Sequence, residues 1–326
     1  MSGRSGAGED DGAALGRRLR DRDTSAAPAA LNLIEDRSPR GREGAGALLA
    51  EVAPAALGHE APAHLIGVTG PPGAGKSTLL SALVRCWRGG ARTVAVLAVD
   101  PSSKRSGGSL LGDRARIEHD PHDGGVLIRS TAAGARLGGL APPTRESVDA
   151  LAAAFDVVVV ETVGVGQSET DVEDVVDSVA VVVQPGSGDT LQFLKAGIME
   201  VPDVLVVTKV DQGDVALRAR RDLAAALGTL GSAGTPVVAV SSLPPPTGIE
   251  ELVDALDGHR AALDVDEARP QARRLAALAE FQREHGECAL RAVGGRRDAE
   301  AALAEQDRAL NTPGLVAALE ARMHAL

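Results

Sequence analysis

The sequence predicts an α/β fold, with a mostly parallel, doubly wound sheet flanked by N- and C-terminal helical arms. Three observations carry that expectation. Residues 64–80, HLIGVTGPPGAGKSTLL, read as a short buried strand running into G-x-x-x-x-G-K-[ST] and then into a helix, which is a phosphate-binding loop in its proper setting. Downstream, near-continuous Val runs alternate with helical patterns, as strands buried on both faces of a parallel sheet do. Toward either end of the chain the apolar spacing is helical only. Together these describe a P-loop NTPase with helical additions.

Taken in order, residues 1–25 are rich in Gly, Ser, Arg and Asp without a sustained apolar period, and are expected to be disordered. Residues 26–34 and 43–52 space Leu, Ile and Val as helices do, so a helical arm is expected over 26–62, with Pro54, Gly58 and Pro62 leading into the first strand. The nucleotide-binding domain is expected over 63–264. Its strands are predicted at 65–69, 93–99, 126–129, 156–160, 179–183, 204–208 and 237–240, with helices at 79–88 and 144–154 among those between them. The polar, Gly-rich excursion over 101–116 is too long for an ordinary connection and reads as functional. From 265 to 326 a helical C-terminal arm follows, broken at Gly294-Gly295 and at Asn311-Thr312-Pro313-Gly314.

Composition bounds the function. The chain has 326 residues, 44% of them hydrophobic, but three Phe, one Trp and no Tyr, so its core must be built from Val, Leu, Ile and Ala. A net charge of −11 argues against non-specific binding to nucleic acid or anionic membranes, leaving proteins and small molecules as partners. Cys86 and Cys288 provide neither a disulfide framework nor zinc spacing, and Cys86 reads as core packing. His119 and His122, in Glu-His-Asp-Pro-His-Asp, read as a solvated loop. With strand-sized apolar runs and no signal-peptide pattern, a soluble, cytoplasmic protein is expected. Of 34 basic residues only four are Lys, at 76, 104, 195 and 209, which hints that a compact ammonium is required at those places.

Ligands of open α/β sheets lie at the carboxyl ends of the strands. There, the small residues Gly70, Gly73, Ala74 and Gly75, with Pro71 and Pro72, let backbone N–H groups curl round a phosphate. Lys76 then reaches the β- and γ-phosphates, Ser77 ligates Mg²⁺ and Thr78 is a further nucleotide-binding candidate. Asp100 ends the second strand. Glu161-Thr162-Val163-Gly164 ends the fourth and resembles D-x-x-G, with Glu161 holding Mg²⁺ through water and the Gly164 N–H sensing the γ-phosphate. Gln167 has two readings, orienting the attacking water or making a switch hydrogen bond. Thr208-Lys209-Val210-Asp211 resembles N-K-x-D: Asp211 accepts from the guanine N1–H and 2-amino groups while the Lys209 stem packs over the base. Adenine lacks that donor pair, so GTP is favoured over ATP. Ser241-Ser242-Leu243, ending the seventh strand, supplies backbone contact to the guanine O6.

With these residues in place the chain resembles the MeaB/ArgK-type P-loop GTPase family. The resemblance rests on GPPGAGKST at 70–78, VDPSS at 99–103, SGGSLLGDR at 106–114, LGGL at 137–140, ETVGVGQSE at 161–169 and PGSGD at 185–189 with GIME at 197–200. It implies a Mg²⁺-dependent GTPase that acts as chaperone to an adenosylcobalamin-dependent acyl-CoA mutase, usually methylmalonyl-CoA mutase, gating cofactor loading and protecting the mutase. It places Asp100, Asp113 and Glu161 around Mg²⁺ and its waters, and makes 102–116, 162–172 and 186–195 three switches. It further implies a homodimer built on the helical extensions. The chain departs from the family's pattern at Thr208, where Asn is usual, at Gly134-Ala135-Arg136, where Arg-Gly is expected, and in its aromatic-poor arms. Two other readings attach to such sequences: a metal-insertion GTPase, whose Cys/His ligand cluster is absent here, and an ATPase or kinase linked to lysine/arginine/ornithine transport, for which no H-R-D loop is present.

Overall fold

A computed structural model of the chain describes residues 6–100, 117–132, 142–162, 172–186, 202–229 and 231–325. The chain divides into two compact units, one of residues 63–148 and 155–263, the other of 1–62, 149–154 and 264–326.

The first unit is built on a seven-stranded sheet of order β3-β2-β4-β1-β5-β6-β7, with every strand pair parallel. Its strands are β1 (His64–Thr69), β2 (Val94–Asp100), β3 (Val126–Ala132), β4 (Val157–Thr162), β5 (Ser178–Val183), β6 (Val204–Val207) and β7 (Val237–Ala239). Every residue of β1, β4, β5 and β6 is buried, which is why these strands read as unbroken apolar runs rather than alternating ones. Register places His64 opposite Val157 and Val68 opposite Glu161, so the ends of β1 and β4 reach the same edge. One face of the sheet, with Ile66, Val68, Val157 and Val159, packs in a single cluster with Leu79, Leu80, Leu83 and the lone Trp87 of the helix Lys76–Gly89, and with Ile249, Leu252 and Leu256 of the helix Ile249–Ala262.

An Asp precedes three of the Val runs, and each seals the start of a neighbouring strand. Asp156 accepts from Thr93 N at 2.7 Å, Asp177 from Leu65 N at 3.0 Å and Asp203 from Val179 N at 2.8 Å. Buried backbone donors at the amino edge of the sheet are satisfied in this way without water.

The second unit is helical. Its N-terminal part has α1 (Gly6–Arg20), α2 (Ala27–Glu35), α3 (Pro39–Glu51) and α4 (Pro54–Leu57). The helix over Gly6–Arg20 corrects the expectation that 1–25 is disordered. The glycines that suggested disorder are its contact surface: a Cβ on Gly12 would lie 2.1 Å from the Gly44 carbonyl oxygen of α3, and one on Gly16 2.7 Å from that of Leu48. The contact is made by backbone rather than by an apolar stripe of side chains. Leu19 is nonetheless fully buried, and Arg17 and Arg20 both hold Glu51 of α3, at 3.0 and 2.8 Å.

Continuing the numbering, the domain helices are α5 (Lys76–Gly89), α6 (Pro142–Ala154), α7 (Asp214–Thr229) and α8 (Ile249–Ala262), and the C-terminal ones α9 (Val265–Ala292), α10 (Arg296–Ala304) and α11 (Thr312–Ala325). Gly294-Gly295 does break the chain, as expected. The second break, however, precedes α11, whose first turn contains Pro313, where a missing N–H costs nothing. Gly286, at φ 77° and ψ 178°, kinks α9, a feature the sequence pattern did not reveal. The two arms, expected as separate segments, share one unit. Arg273 of α9, almost fully buried, grips Glu60 through two bonds of 2.8 and 2.6 Å and also donates to the carbonyls of Arg308 and Leu310.

Candidate functional site

The site is assembled at the carboxyl ends of β1, β4 and β6 and in the segment after β7. Between β1 and α5, residues Gly70, Pro71, Pro72, Gly73, Ala74 and Gly75 form a tight loop, and Lys76, Ser77 and Thr78 start the helix. Gly70 is obligatory: it has φ 139°, and a Cβ there would stand 2.0 Å from the Val182 carbonyl oxygen. Gly75 enters α5 at φ 94° and has no side chain to cap that helix, so its first N–H groups could meet an anion. Lys76 is buried, its Nζ donating to Gly70 O at 2.7 Å and reaching Pro71 O at 3.4 Å. The ammonium is thus folded over the loop it serves.

The Ser77 hydroxyl lies 3.3 Å from Glu161 Oε1, donating to it. Two chain segments 84 residues apart therefore bring together a hydroxyl and a carboxylate, the hard oxygen donors that Mg²⁺ takes. Glu161 is only 7% exposed, and behind it Thr162 Oγ1 donates to Thr69 Oγ1 at 2.9 Å, tying the ends of β4 and β1. Asp100 ends β2 as expected, paired with Ala132 across the ladder; its side chain lies outside the described residues. Asp113, Gly164 and Gln167 also lie outside them.

Past β6, Thr208 is buried, and its hydroxyl meets two carbonyls, Ala74 O at 2.6 Å and Val183 O at 3.0 Å. The residue that departs from the N-K-x-D pattern thus ties the end of β6 to the phosphate loop. Lys209 adopts a left-handed backbone, φ 57° and ψ 40°, and its Nζ donates to Gly73 O at 3.1 Å and to Gln184 Oε1 at 2.5 Å. Asp211 follows in a 3-10 turn, and the Ser241 hydroxyl donates to its Oδ1 at 2.9 Å, which fixes the carboxylate. Ser241 also exchanges backbone bonds with Thr247, closing the loop that holds Ser242 and Leu243; Leu243 is 57% exposed. The structure thus gathers Lys76, Ser77 and Glu161 on one side of the loop and Thr208, Lys209, Asp211 and Ser241 on the other. Gln184, at the end of β5, was not singled out by the sequence, because a Gln before Pro-Gly reads as an ordinary turn.

The chain is similar to several known proteins. A GTPase of Mycobacterium bovis, named Probable GTPase, is 40% identical over 251 residues, 75% of this chain and 74% of that protein. GTPase ArgK of Escherichia coli K12 is 42% identical over 199 residues, 61% of this chain and 59% of its own length. Methylmalonic aciduria type A homolog of Mus musculus is 40% identical over 201 residues, 59% of this chain and 48% of its own. A Pyrococcus horikoshii GTPase is 50% identical over 151 residues, where the chain spans about half, 48%, of that relative's length. Among solved structures, that of a LAO/AO transport system kinase superimposes with a TM-score of 0.66 at 28% identity, covering 97% of this chain and 98% of that one. The family model described as methylmalonyl-CoA mutase-associated GTPase MeaB matches residues 27–291, and to that family the chain belongs.

Proposed function

We propose that this chain binds GTP with Mg²⁺, hydrolyses it slowly on its own, and serves as chaperone to an adenosylcobalamin-dependent acyl-CoA mutase of the methylmalonyl-CoA mutase type, as a cytoplasmic homodimer. The observation that carries the nucleotide part is the pairing of Ser77 with Glu161 beside the loop whose other flank is held by Thr208 and Lys209. The partner is supported by the family description and by the name of the mouse relative. Among the described residues no helix is long and apolar enough to cross a membrane.

In this reading Lys76 leaves the Gly70 carbonyl for the β- and γ-phosphate oxygens, and the N–H groups of the loop and of the first turn of α5 hold the same anion. Ser77 and Glu161, with Asp100 and Asp113, hold the metal and its waters. Mg²⁺, when bound, supplies Lewis-acid charge to the phosphoryl oxygens. Asp211, oriented by Ser241, accepts from the guanine N1–H and 2-amino groups, and the Lys209 stem covers the base. Adenine would leave that carboxylate unmet, which disfavours the transport-kinase reading that the name of the solved neighbour suggests.

Slow intrinsic turnover is expected because no arginine finger can be assigned among the described residues, and a partner is then expected to complete the transition-state charge. GTP hydrolysis measured with and without an adenosylcobalamin-dependent mutase tests this. Stimulation of the wild type is expected, and stimulation reduced about tenfold in Lys195→Ala with nucleotide affinity nearly unchanged, the scale of one lost transition-state contact. Lys195 lies outside the described residues and is chosen from the sequence. No stimulation by any acyl-CoA mutase would remove the chaperone role.

A further inference from the structure

At the amino ends of the strands, away from the phosphate loop, five side chains form one continuous polar chain. Asp203 Oδ1 stands 3.1 Å from His259 Nε2, His259 Nδ1 2.8 Å from Ser178 Oγ, Ser178 Oγ 2.9 Å from His64 Nε2, and His64 Nδ1 3.5 Å from Asp257 Oδ1. Ser178 is 0% and His64 3% exposed, so Ser178 cannot meet a substrate and the Ser-His-Asp grouping is not a nucleophile's. His259 and Asp203 are about a third exposed and line an open cleft of about 490 Å³ with Pro202, Thr235 and Pro236. Nothing in the nucleotide reading uses these residues.

Counting protons shows what the chain can do. Four gaps separate the five side chains, whereas two neutral imidazoles and one hydroxyl bring only three protons, and the two carboxylates bring none. One gap must stand empty, and the distances show which. The His64 Nδ1 to Asp257 gap, at 3.5 Å, is the longest of the four and too long for a well-formed hydrogen bond, while the other three are 3.1 Å or less. The protons are therefore ordered one way: His64 donates from Nε2 to Ser178, Ser178 to His259 Nδ1, and His259 from Nε2 to Asp203.

We propose that this chain is a single-proton relay, in which one proton taken up at its Asp257 end appears as charge on His259 at the cleft, while buried His64 changes tautomer and stays neutral. The steps balance. A solvent proton taken up by the partly exposed Asp257 carboxylate passes to the buried His64 Nδ1, leaving Asp257 ionised again, while the Nε2 proton passes to Ser178 Oγ and the hydroxyl's own proton to His259 Nδ1. All four gaps are then filled, and α8, which carries Asp257 and His259, gains a hydrogen bond to β1.

The surroundings favour that end state. Burial pushes the His64 pKa down to about 4, against the pull of Asp177 and Asp257, with Arg260 adding to the depression. Asp257 is itself held by Arg92 at 2.8 Å, and Arg260 faces Asp177 at 3.4 Å. Just before β4 the Asp156 carboxylate accepts from Thr93, and the Asp156 backbone carbonyl accepts from His64 N at 2.9 Å. Charge is thus disfavoured on His64, whereas on His259 it sits beside Asp203, in partial contact with water.

Nitrogen NMR of the imidazoles in the full chain, between about pH 5 and pH 8, tests the relay. His64→Gln and His259→Gln assign the signals. The expected result is that His64 passes from the Nε2–H to the Nδ1–H tautomer with the same midpoint at which His259 becomes doubly protonated, and that Ser178→Ala removes the coincidence. His64 keeping one tautomer through the His259 titration, or becoming imidazolium itself, would overturn the proposal. So would coupling that survives in Ser178→Ala. The wild-type titration decides even where that variant does not fold, and it does not depend on the nucleotide bound.

Discussion

Thr208 occupies a position where the related motif has Asn, and its hydroxyl bonds to Ala74 O and Val183 O give it a positioning role. Removing the hydroxyl while keeping the shape, Thr208→Val, takes the side-chain donor from Ala74 O, whereas Val183 O keeps the Thr208 backbone N–H at 2.9 Å. Loss of a buried hydrogen bond costs about 1–3 kcal/mol, so GDP affinity should fall roughly tenfold, while Thr208→Asn should retain it. Affinities by calorimetry decide, and an unchanged Thr208→Val would show the tie to be idle. Lys76→Ala should abolish tight binding in every nucleotide state, whereas Glu161→Ala should chiefly impair Mg²⁺-dependent hydrolysis, because the acid acts through the metal and its waters. Normal hydrolysis by Lys76→Ala would place the site elsewhere. Lys76, Ser77 and Lys209 were legible in the sequence because their chemistry demands contiguous residues at fixed spacing. The donor pairs Thr208 to Ala74 and Lys209 to Gln184 were not, since they span 134 and 25 residues and exist only once the strands are laid side by side.

At the scale of elements, β1, β4, β5 and β6 were legible because each is buried on both faces and needs no alternation. The helix α1 was not, because its contact with α3 is made by glycine backbones. Gly12→Ala should therefore destabilise the helical unit by about 1–3 kcal/mol, the usual cost of overpacking, since the new Cβ meets a carbonyl that cannot rotate away. Arg273 and Glu60 make the stronger test. Both side chains are about nine-tenths buried, and Arg273→Ala leaves the carboxylate without its fork, which should cost about 3–5 kcal/mol. Denaturant unfolding measures both changes, and a wild-type midpoint in either variant would contradict the corresponding packing account.

For the whole molecule, the buried imidazole of β1 has a consequence for acid stability. The pKa of His64 is about 4 in the folded chain, below its ordinary value near 6.5, so the unfolded chain takes up that proton first. Stability contributed by neutral His64 is complete above about pH 6.5 and should be lost as pH falls toward 4, at up to about 1.4 kcal/mol per pH unit. His64→Gln should flatten that slope in melting curves recorded across the range; an equal slope in both proteins would remove His64 as its source.

In the proposed function one end of a parallel sheet selects a guanine nucleotide through Lys209 and Asp211, beside a phosphate loop carrying Lys76 and Ser77. Calorimetric titration of the Mg²⁺-containing protein with GDP and with ADP tests it most directly, together with xanthosine diphosphate on Asp211→Asn. The account predicts GDP binding at about micromolar strength or tighter, ADP weaker by roughly 100-fold or more, and a preference moved toward xanthine in the variant. Equal affinity of the wild type for GDP and ADP would contradict it.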